Sequence, residues 1–238
     1  MKILEVGSVN IEVVKKRIKN IHLAVYPPNG RVRLASPTDV EDEAIRLFAI
    51  SKLAWIKKQQ RKFAEQHREP PRKYINRESH YFQGRRYLLR VHEGEHRSRV
   101  EIKSKTYIDL YVHENSTIAE REQIMNNWYR KELKAIAQPL IEKWQEKMKV
   151  ELNSWGVKQM TTKWGTCNTD SKRILLNLEL AKKPERCLEY IIAHELVHLF
   201  ERKHNDRFFA LMSKFMPQWK TYREELNRLP VSHVNWEY

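Results

Sequence analysis

The chain has 238 residues, of which 41% are hydrophobic and 32% charged, and its formal net charge is +15 at pH 7. These values exclude a low-complexity or membrane-spanning protein, because no apolar run reaches the roughly 18 residues that a membrane span needs. The positive charge favours polyanionic partners such as nucleic acid or nucleotides, although solvated helix surfaces also account for it.

The first predicted element is a β-hairpin within residues 11–35. Apolar residues alternate on both sides of a Pro-Pro-Asn-Gly turn at 27–30, and Arg17 and Lys19 extend the first strand. A basic strand end of this kind either meets phosphates or protects a solvated sheet edge, and the sequence leaves both alternatives open.

A helix is predicted to follow from Pro37 to about residue 66, where a proline-containing linker at 68–71 ends it. Thr38 and Glu41 are spaced as a capping box at its start. The residues predicted to follow one helical stripe are Ala44, Leu47, Phe48, Ser51 and Trp55.

Short strands separated by polar breaks predict a small antiparallel sheet next. Its strands are expected at residues 80–82, 86–92, 99–103 and 107–112. The basic and aromatic side chains of this region either bind a nucleotide or acidic peptide, or are ordinary strand-surface residues: Arg85, Arg86, Tyr87 and Arg90. Residues 1–115 are thus predicted to form a basic, β-rich extension with one helix.

A long helix is predicted from about Thr117 to residue 153, with Thr117 and Glu120 as a capping box. Pro139 lies inside it, so we expect a kink or a break near Gln138. This helix opens the predicted catalytic domain, residues 116–238, which either stands apart from the extension or packs with it as one unit.

The catalytic half continues with a turn-rich segment and an apolar strand at 174–178, just ahead of a helix that has Pro184 in its first turn. A strand beside a cleft can accept an extended peptide by edge pairing, or it can be purely structural.

The two cysteines, Cys167 and Cys187, follow no disulfide pattern, and the first residues of the chain lack the apolar core of a signal peptide. We therefore expect a cytoplasmic protein with buried thiols.

The strongest chemical pattern is His194-Glu195-Leu196-Val197-His198. On a helix, residues i and i+4 lie about one turn apart on the same face, so both imidazoles can reach one metal ion. Glu195 falls on the apolar stripe of that helix, where a carboxylate is costly unless it is partnered or used in chemistry. Such patterns also arise by chance on amphipathic helices, so further residues are needed.

His204 supplies the further evidence, provided that the helix ends before it. On an unbroken helix it would lie about 9 Å along the axis from His198 and rotated by about 120°. We therefore expect a helix end near residues 200–203 and a new helix capped by Asn205 or Asp206. The histidine spacing resembles that of metzincins, whose turn glycine is replaced here by Glu201.

Several separated motifs resemble the YgjP-like metal-dependent hydrolases, which are relatives of the SprT-like zinc metallopeptidases among the minigluzincin-type zincins. These motifs are Trp164-Gly165-Thr166-Cys167, Leu176-Asn177, His194-Glu195-Leu196-Val197-His198 and His204-Asn205-Asp206-Arg207-Phe208. The resemblance covers most of the chain and is stronger after residue 160 than before it.

The resemblance implies an α+β fold: a zincin-like core, with an active-site helix and a small, mainly antiparallel sheet, plus an amino-terminal α/β extension. By position, His194, His198 and His204 would bind Zn²⁺ and Glu195 would be the general base. Related gluzincins typically use glutamate as the third ligand, and His204 departs from that pattern.

Three functions remain as hypotheses. The leading one is a zinc metallopeptidase that uses a metal-activated water. The second is a metal-dependent nucleoside triphosphate pyrophosphatase, acting for example on UTP, and the third is a non-catalytic zinc protein that binds nucleic acid through its basic surface. By residue type, candidate substrate-binding residues are Lys163, Trp164, Arg207 and Tyr222.

Overall fold

The computed structural model describes residues 2–26, 29–65, 71–95, 97–160 and 163–230. Within these ranges the predicted α+β fold is confirmed, with six α-helices and three small sheets. The described residues form two compact units, 2–65 and 71–230. None of their helices combines the length and the apolar character that crossing a bilayer requires.

The first unit contains a four-stranded sheet. Its strands are β1 (Lys2–Val6), β2 (Val9–Lys16), β3 (His22–Tyr26) and β4 (Arg31–Pro37), in the order β1-β2-β4-β3. β3 and β4 form the predicted antiparallel pair, whereas β2 and β4 are parallel. Pro27 and Pro28 of the predicted turn lie outside the described residues. Arg17 and Lys19 lie between β2 and β3 and belong to neither, so the prediction that they extend the first hairpin strand is wrong.

The single helix predicted from residue 37 to 66 is two helices, α1 (Asp42–Ser51) and α2 (Leu53–Glu65). Glu41 caps α1 without a side-chain hydrogen bond, so the predicted capping box is absent. The predicted stripe is wrong at Leu47, which is 59% exposed, and at Trp55, which is 43% exposed, although Phe48 packs against the core. The side chains that reach the core of the sheet instead are Ile45, Ala49 and Ile56.

The second unit begins with another four-stranded sheet. Its strands are β5 (Ser79–Phe82), β6 (Arg85–Glu93), β7 (Arg99–Glu101) and β8 (Tyr107–Val112), in the order β5-β6-β8-β7. The sheet is mixed and not purely antiparallel, because β6 and β8 are parallel. Arg90, a predicted ligand-binding residue, donates hydrogen bonds of 2.8 and 2.9 Å to buried Asp109, which compensates its charge.

The long helix α3 (Ile118–Met148) packs between this sheet and the elements that follow it in the chain. Its capping box is confirmed: the Glu120 amide donates to Thr117 Oγ1 and the Thr117 amide donates to Glu120 Oε2. The predicted break is wrong, since the helix runs on through Pro139, which lies on the exposed face. The helix also ends at Met148, earlier than residue 153, with Lys149 in a left-handed conformation (φ 55°).

Further elements follow α3. They are the sheet β9 (Ser154–Lys158), β10 (Gly165–Asn168) and β11 (Arg173–Asn177), a 3-10 helix (Leu178–Lys182), and the helices α4 (Glu185–Val197), α5 (Asp206–Phe215) and α6 (Trp219–Arg228). β10 pairs with β11 antiparallel and β9 pairs with β11 parallel, so this sheet is mixed. One hydrophobic core joins these elements to the β5–β8 sheet. The predicted domain boundary between 115 and 116 stays a prediction.

Candidate metal centre

The helix α4 carries the first two histidines at its carboxyl end. Pro184 was predicted in the first turn of this helix and is instead its N-cap residue, directly before the first turn. Most side chains of the helix are buried. His194 lies in the last turn, and His198 is the C-cap residue with αR geometry (φ −62°). The i, i+4 spacing therefore places the two rings edge to face, with centroids 5.0 Å apart.

His204 returns to the same place because α4 ends at Val197, close to the predicted break. A new helix, α5, starts after Asn205, whose side chain accepts a hydrogen bond of 3.0 Å from the Phe208 amide. His204 Nε2 consequently lies 3.0 Å from His194 Nε2. Candidate ligand atoms of the three histidines all lie within 4.8 Å of one another.

Glu201 builds the turn that a glycine forms in metzincins. Its φ is not among the positive values of the described residues, so this turn needs no left-handed conformation. The Glu201 carbonyl lies 3.1 Å from His198 Nδ1, and its carboxylate accepts a hydrogen bond of 3.1 Å from the Lys203 amide. With Nδ1–H donating to that carbonyl, the Nε2 lone pair of His198 is left for a metal. The sequence did not indicate this contact.

The histidine cluster fits a zinc ion. Tetrahedral zinc with Zn–N bonds of about 2.0–2.1 Å places two nitrogen ligands roughly 3.3 Å apart. The separation of 3.0 Å between the Nε2 atoms of His194 and His204 is close to that value. Two imidazole nitrogens this close must share either a proton or a metal cation. The third imidazole beside them favours the metal cation.

Burial disfavours the charged forms of His194 and His198, and the neutral imidazole is the form that binds metal. Burial, together with the charges of His198 and His204, lowers the pKa of His194 to about 3. Arg223 acts on the pKa of His194 in the same direction. Burial also lowers the pKa of His198, although its contact with the Glu201 carbonyl opposes that shift.

Glu195 lies on the buried side of α4, next to the cluster, and is 5% exposed. Burial raises the pKa of Glu195 to about 8, and the charge of Lys163 opposes this shift. Gly165 of β10 packs directly against the carboxyl group: a Cβ at that position would lie 2.6 Å from Glu195 Oε1. The Trp-Gly-Thr-Cys motif thus contributes a glycine whose missing side chain makes room for Glu195.

A cavity of about 740 Å³ opens above the cluster. Residues 163–170 form one part of its lining, the histidines and Glu195 another, and Tyr190, Arg223, Leu226 and Asn227 a third. Asn177 braces the first part, because its buried side chain donates hydrogen bonds to the carbonyls of Met160 (2.9 Å) and Lys163 (2.7 Å). This contact gives the Leu-Asn motif a structural role.

Comparison with protein families decides the classification. The sequence model of the family described as "YgjP-like, metallopeptidase domain" matches residues 19–229. The chain belongs to this YgjP-like family. Membership makes it a metal-dependent hydrolase, as the motifs predicted.

Comparisons with individual proteins add less to the YgjP-like assignment. No curated protein matches the chain. Among solved structures, the metallopeptidase zymogen of Pyrococcus abyssi abylysin is 19% identical, with a TM-score of 0.35. That match covers 40% of this chain and 98% of the abylysin chain.

The YgjP-like chain brings only some of its predicted substrate-binding residues to the cavity. Lys163 and Trp164 line it, whereas Arg207 and Tyr222 are not part of the lining. Arg207 is directed toward Glu201, at 4.0 Å, and its side chain is 71% exposed. Sequence reasoning missed Arg223, since only the packing of α6 against α4 brings that residue near the histidines.

The strand that borders the cavity of the YgjP-like chain also differs from the predicted one. β11, the apolar strand, is central in its sheet, because β10 and β9 pair with its two edges. β10 has one neighbour among the described strands, and all of its residues line the cavity. The edge that is open to an extended ligand therefore belongs to β10.

Proposed function

We propose that this protein is a zinc-dependent metallopeptidase with Glu195 as its general base. The observation that carries the proposal is the convergence of three imidazoles beside a buried carboxyl group, in a cavity with an open strand edge. His194, His198 and His204 would hold the metal. A structural zinc site normally has four protein ligands, whereas the described residues offer three in this cluster.

The side chains divide the chemistry among them. When bound, a zinc ion supplies Lewis acidity that activates water at neutral pH and favours the ionised form of a nearby carboxyl group. Glu195 takes the proton of the attacking water and passes it to the leaving amine. The carbonyl of Glu201 holds the His198 ring in one tautomer, and Gly165 leaves space for the Glu195 carboxyl group.

The open edge of β10 suits an extended peptide backbone. Unpaired amide and carbonyl groups at a sheet edge bind such a backbone by adding it as a further strand. All four residues of β10 line the cavity, so a peptide bound there would pass close to the histidines. A nucleotide has no comparable use for a strand edge, which favours the peptide among the substrate classes.

We predict that Gly165→Ala lowers kcat while zinc remains bound. The new methyl group would lie 2.6 Å from Glu195 Oε1, so the carboxyl group must move. A displacement of about 1 Å in a catalytic group can reduce turnover by about 10²-fold. Steady-state kinetics and metal content of the purified variant measure the two effects.

Gly156→Ala is the matched control, because Gly156 lies in the same sheet and its added Cβ would meet only Leu175 Cδ2, at 3.4 Å. This variant should keep turnover near that of the wild type. Equal kcat values for the Gly165 and Gly156 variants would contradict the role given to Gly165.

A substrate panel tests the proposed function. Unstructured peptides and nucleoside triphosphates, including UTP, are incubated with the protein loaded with zinc, magnesium or manganese. We expect peptide hydrolysis with zinc and no nucleotide turnover. Nucleotide cleavage without peptide cleavage would establish the pyrophosphatase alternative, and salt-sensitive nucleic-acid binding without any hydrolysis would favour the non-catalytic one. The cytoplasmic location stays a prediction.

A further inference from the structure

The cavity lining contains an arginine that the catalytic scheme does not use. Arg223 lies on α6, in the turn that also contributes Leu226 and Asn227 to the lining. The side chain is exposed, so a ligand in the cavity can reach it.

Arg223 forms no ion pair with a carboxylate among the residues that the structure describes, unlike the neighbouring arginines. The two acids that follow it on α6 are already engaged. Glu225 accepts a hydrogen bond of 2.6 Å from Arg186, and Glu224 pairs with Arg228 at 3.8 Å. The guanidinium group of Arg223 is therefore available for a carboxylate from outside the chain.

An aromatic stack supports the Arg223 side chain. Its guanidinium carbon lies 5.9 Å from the centroid of the Trp219 ring, one helical turn earlier. Trp219 is buried, stacks on Phe209 at 5.5 Å and donates a hydrogen bond of 3.0 Å to Ser213. Phe209 in turn stacks on His204 at 6.5 Å. Arginine held on an aromatic face loses less freedom when it binds a planar anion.

The remaining charges of the lining leave an excess of positive charge. Lys163 and Arg202 are its other cations, and Asp170 and Glu195 are its carboxylates. Arg202 pairs with Asp170 at 2.7 Å, and Glu195 is reserved for the chemistry. A site with this balance attracts anionic substrates, and guanidinium groups bind carboxylates with two parallel hydrogen bonds.

We propose that Arg223 is a specificity-determining residue that binds a carboxylate group of the substrate close to the metal centre. The inference rests on the proposed peptidase function, since it names the kind of peptide that the cavity selects. The carboxylate belongs either to a Glu or Asp side chain or to the free carboxyl terminus of the peptide, and the same guanidinium group recognises both.

Equilibrium binding tests the proposal without requiring turnover. Fluorescently labelled peptides are titrated with the zinc-loaded Glu195→Gln protein, and their anisotropy gives Kd. Four peptides are compared, with Glu or Gln near the centre and with a free or amidated carboxyl terminus. The peptide pair whose two members differ in Kd shows whether the carboxylate belongs to the side chain or to the carboxyl terminus. We expect at least one carboxylate form to bind about tenfold more tightly than its neutral counterpart, as hydrogen bonds to charged groups do.

Introducing Arg223→Met into the Glu195→Gln protein should remove the preference for the carboxylate peptide. Arg223→Lys should keep part of that preference, because the positive charge remains. Arg228→Met is the matched control on the same helix, since that side chain is 82% exposed and does not line the cavity. It should leave the preference intact. Circular dichroism and zinc content show that each variant is folded and loaded.

Two outcomes would overturn the proposal: a parent protein that binds carboxylate and neutral peptides equally, or a preference that survives Arg223→Met. Peptide hydrolysis by the wild-type protein is measured in parallel and reports on the peptidase function separately. A protein that binds acidic peptides through Arg223 but cleaves none would keep this inference and refute the proposed catalysis.

Discussion

Replacing His204 with alanine is expected to weaken zinc binding by more than about 100-fold, because a proposed direct ligand is removed. Loss of a residue that only hydrogen-bonds to a ligand typically weakens metal binding by roughly 10–100-fold. His204 is the proposed ligand that completes the cluster, with its Nε2 3.0 Å from that of His194. With two imidazoles left on α4, the ion has no third protein ligand among the described residues. Zinc content after dialysis and competition with a chromogenic chelator measure the loss, and hydrolase activity should fall with it.

Two further variants separate ligation from general damage. His204→Glu should retain much of the zinc affinity, because carboxylate oxygens are also zinc ligands. His22→Ala removes an exposed histidine outside the cluster and should change neither zinc content nor activity. Full zinc occupancy in His204→Ala would show that the ion is held elsewhere, and the three-histidine assignment would then fail.

The metal cluster was predictable because local geometry determines most of it. The i, i+4 spacing of His194 and His198 places two imidazoles on one helical turn. His204 could reach them only if the helix ended before it, so a break was required. Asn205 and Asp206, both good N-cap residues, then indicated where the next helix starts, and the structure confirms that start with Asn205 as the cap. Each step used residues less than about a dozen apart.

The remainder of the site depends on contacts between distant segments, which the sequence does not encode in a readable pattern. Gly165 meets Glu195 across 30 positions, and Arg223 reaches the cavity only because α6 packs against α4. Arg207 and Tyr222 were chosen by residue type, and the structure leaves both out of the lining. Lys163 and Trp164 were chosen in the same way and do line the cavity, so residue type alone did not separate the two pairs.

The errors in the fold have similar causes. Strand positions were found from alternation, but parallel pairing of β2 with β4 and of β6 with β8 joins strands that are not consecutive. In α1 the buried face carries Ile45 and Ala49, so the predicted stripe through Leu47 lies on the wrong face. Beyond the break at Lys52, α2 buries Ile56 and leaves Trp55 exposed. In α3, packing of the buried face keeps the helix continuous although Pro139 removes a hydrogen-bond donor.

Replacing Glu195 with glutamine is expected to reduce kcat by about 10²–10⁴-fold, the range that general acid–base catalysis contributes. Glutamine has nearly the same shape, so the space beside Gly165 stays filled, but the amide cannot accept the proton of the attacking water. Zinc content should stay at the wild-type level, because Glu195 is not one of the three clustered histidines. Steady-state kinetics on a cleaved peptide and metal analysis of the same sample give both values.

The same substitution should stabilise the metal-free protein, which separates a catalytic role from a structural one. Burial raises the pKa of Glu195 from 4.5 in the reference state to about 8, so the folded state binds a proton more tightly than the unfolded chain. Stability is therefore lost progressively as the pH rises from 4.5 to about 8, and glutamine, which does not ionise, removes this loss.

Thermal unfolding at pH 5 and pH 8 should show a gain in Tm for Glu195→Gln that grows with pH. The matched control is Glu185→Gln, an exposed residue on the same helix, which should show no such gain. A carboxyl group kept for packing alone would give the opposite sign, with Glu195→Gln less stable at both pH values and kcat unchanged. Residues kept for chemistry commonly reduce the stability of the fold that holds them, and a stability gain joined to a loss of turnover would place Glu195 among them.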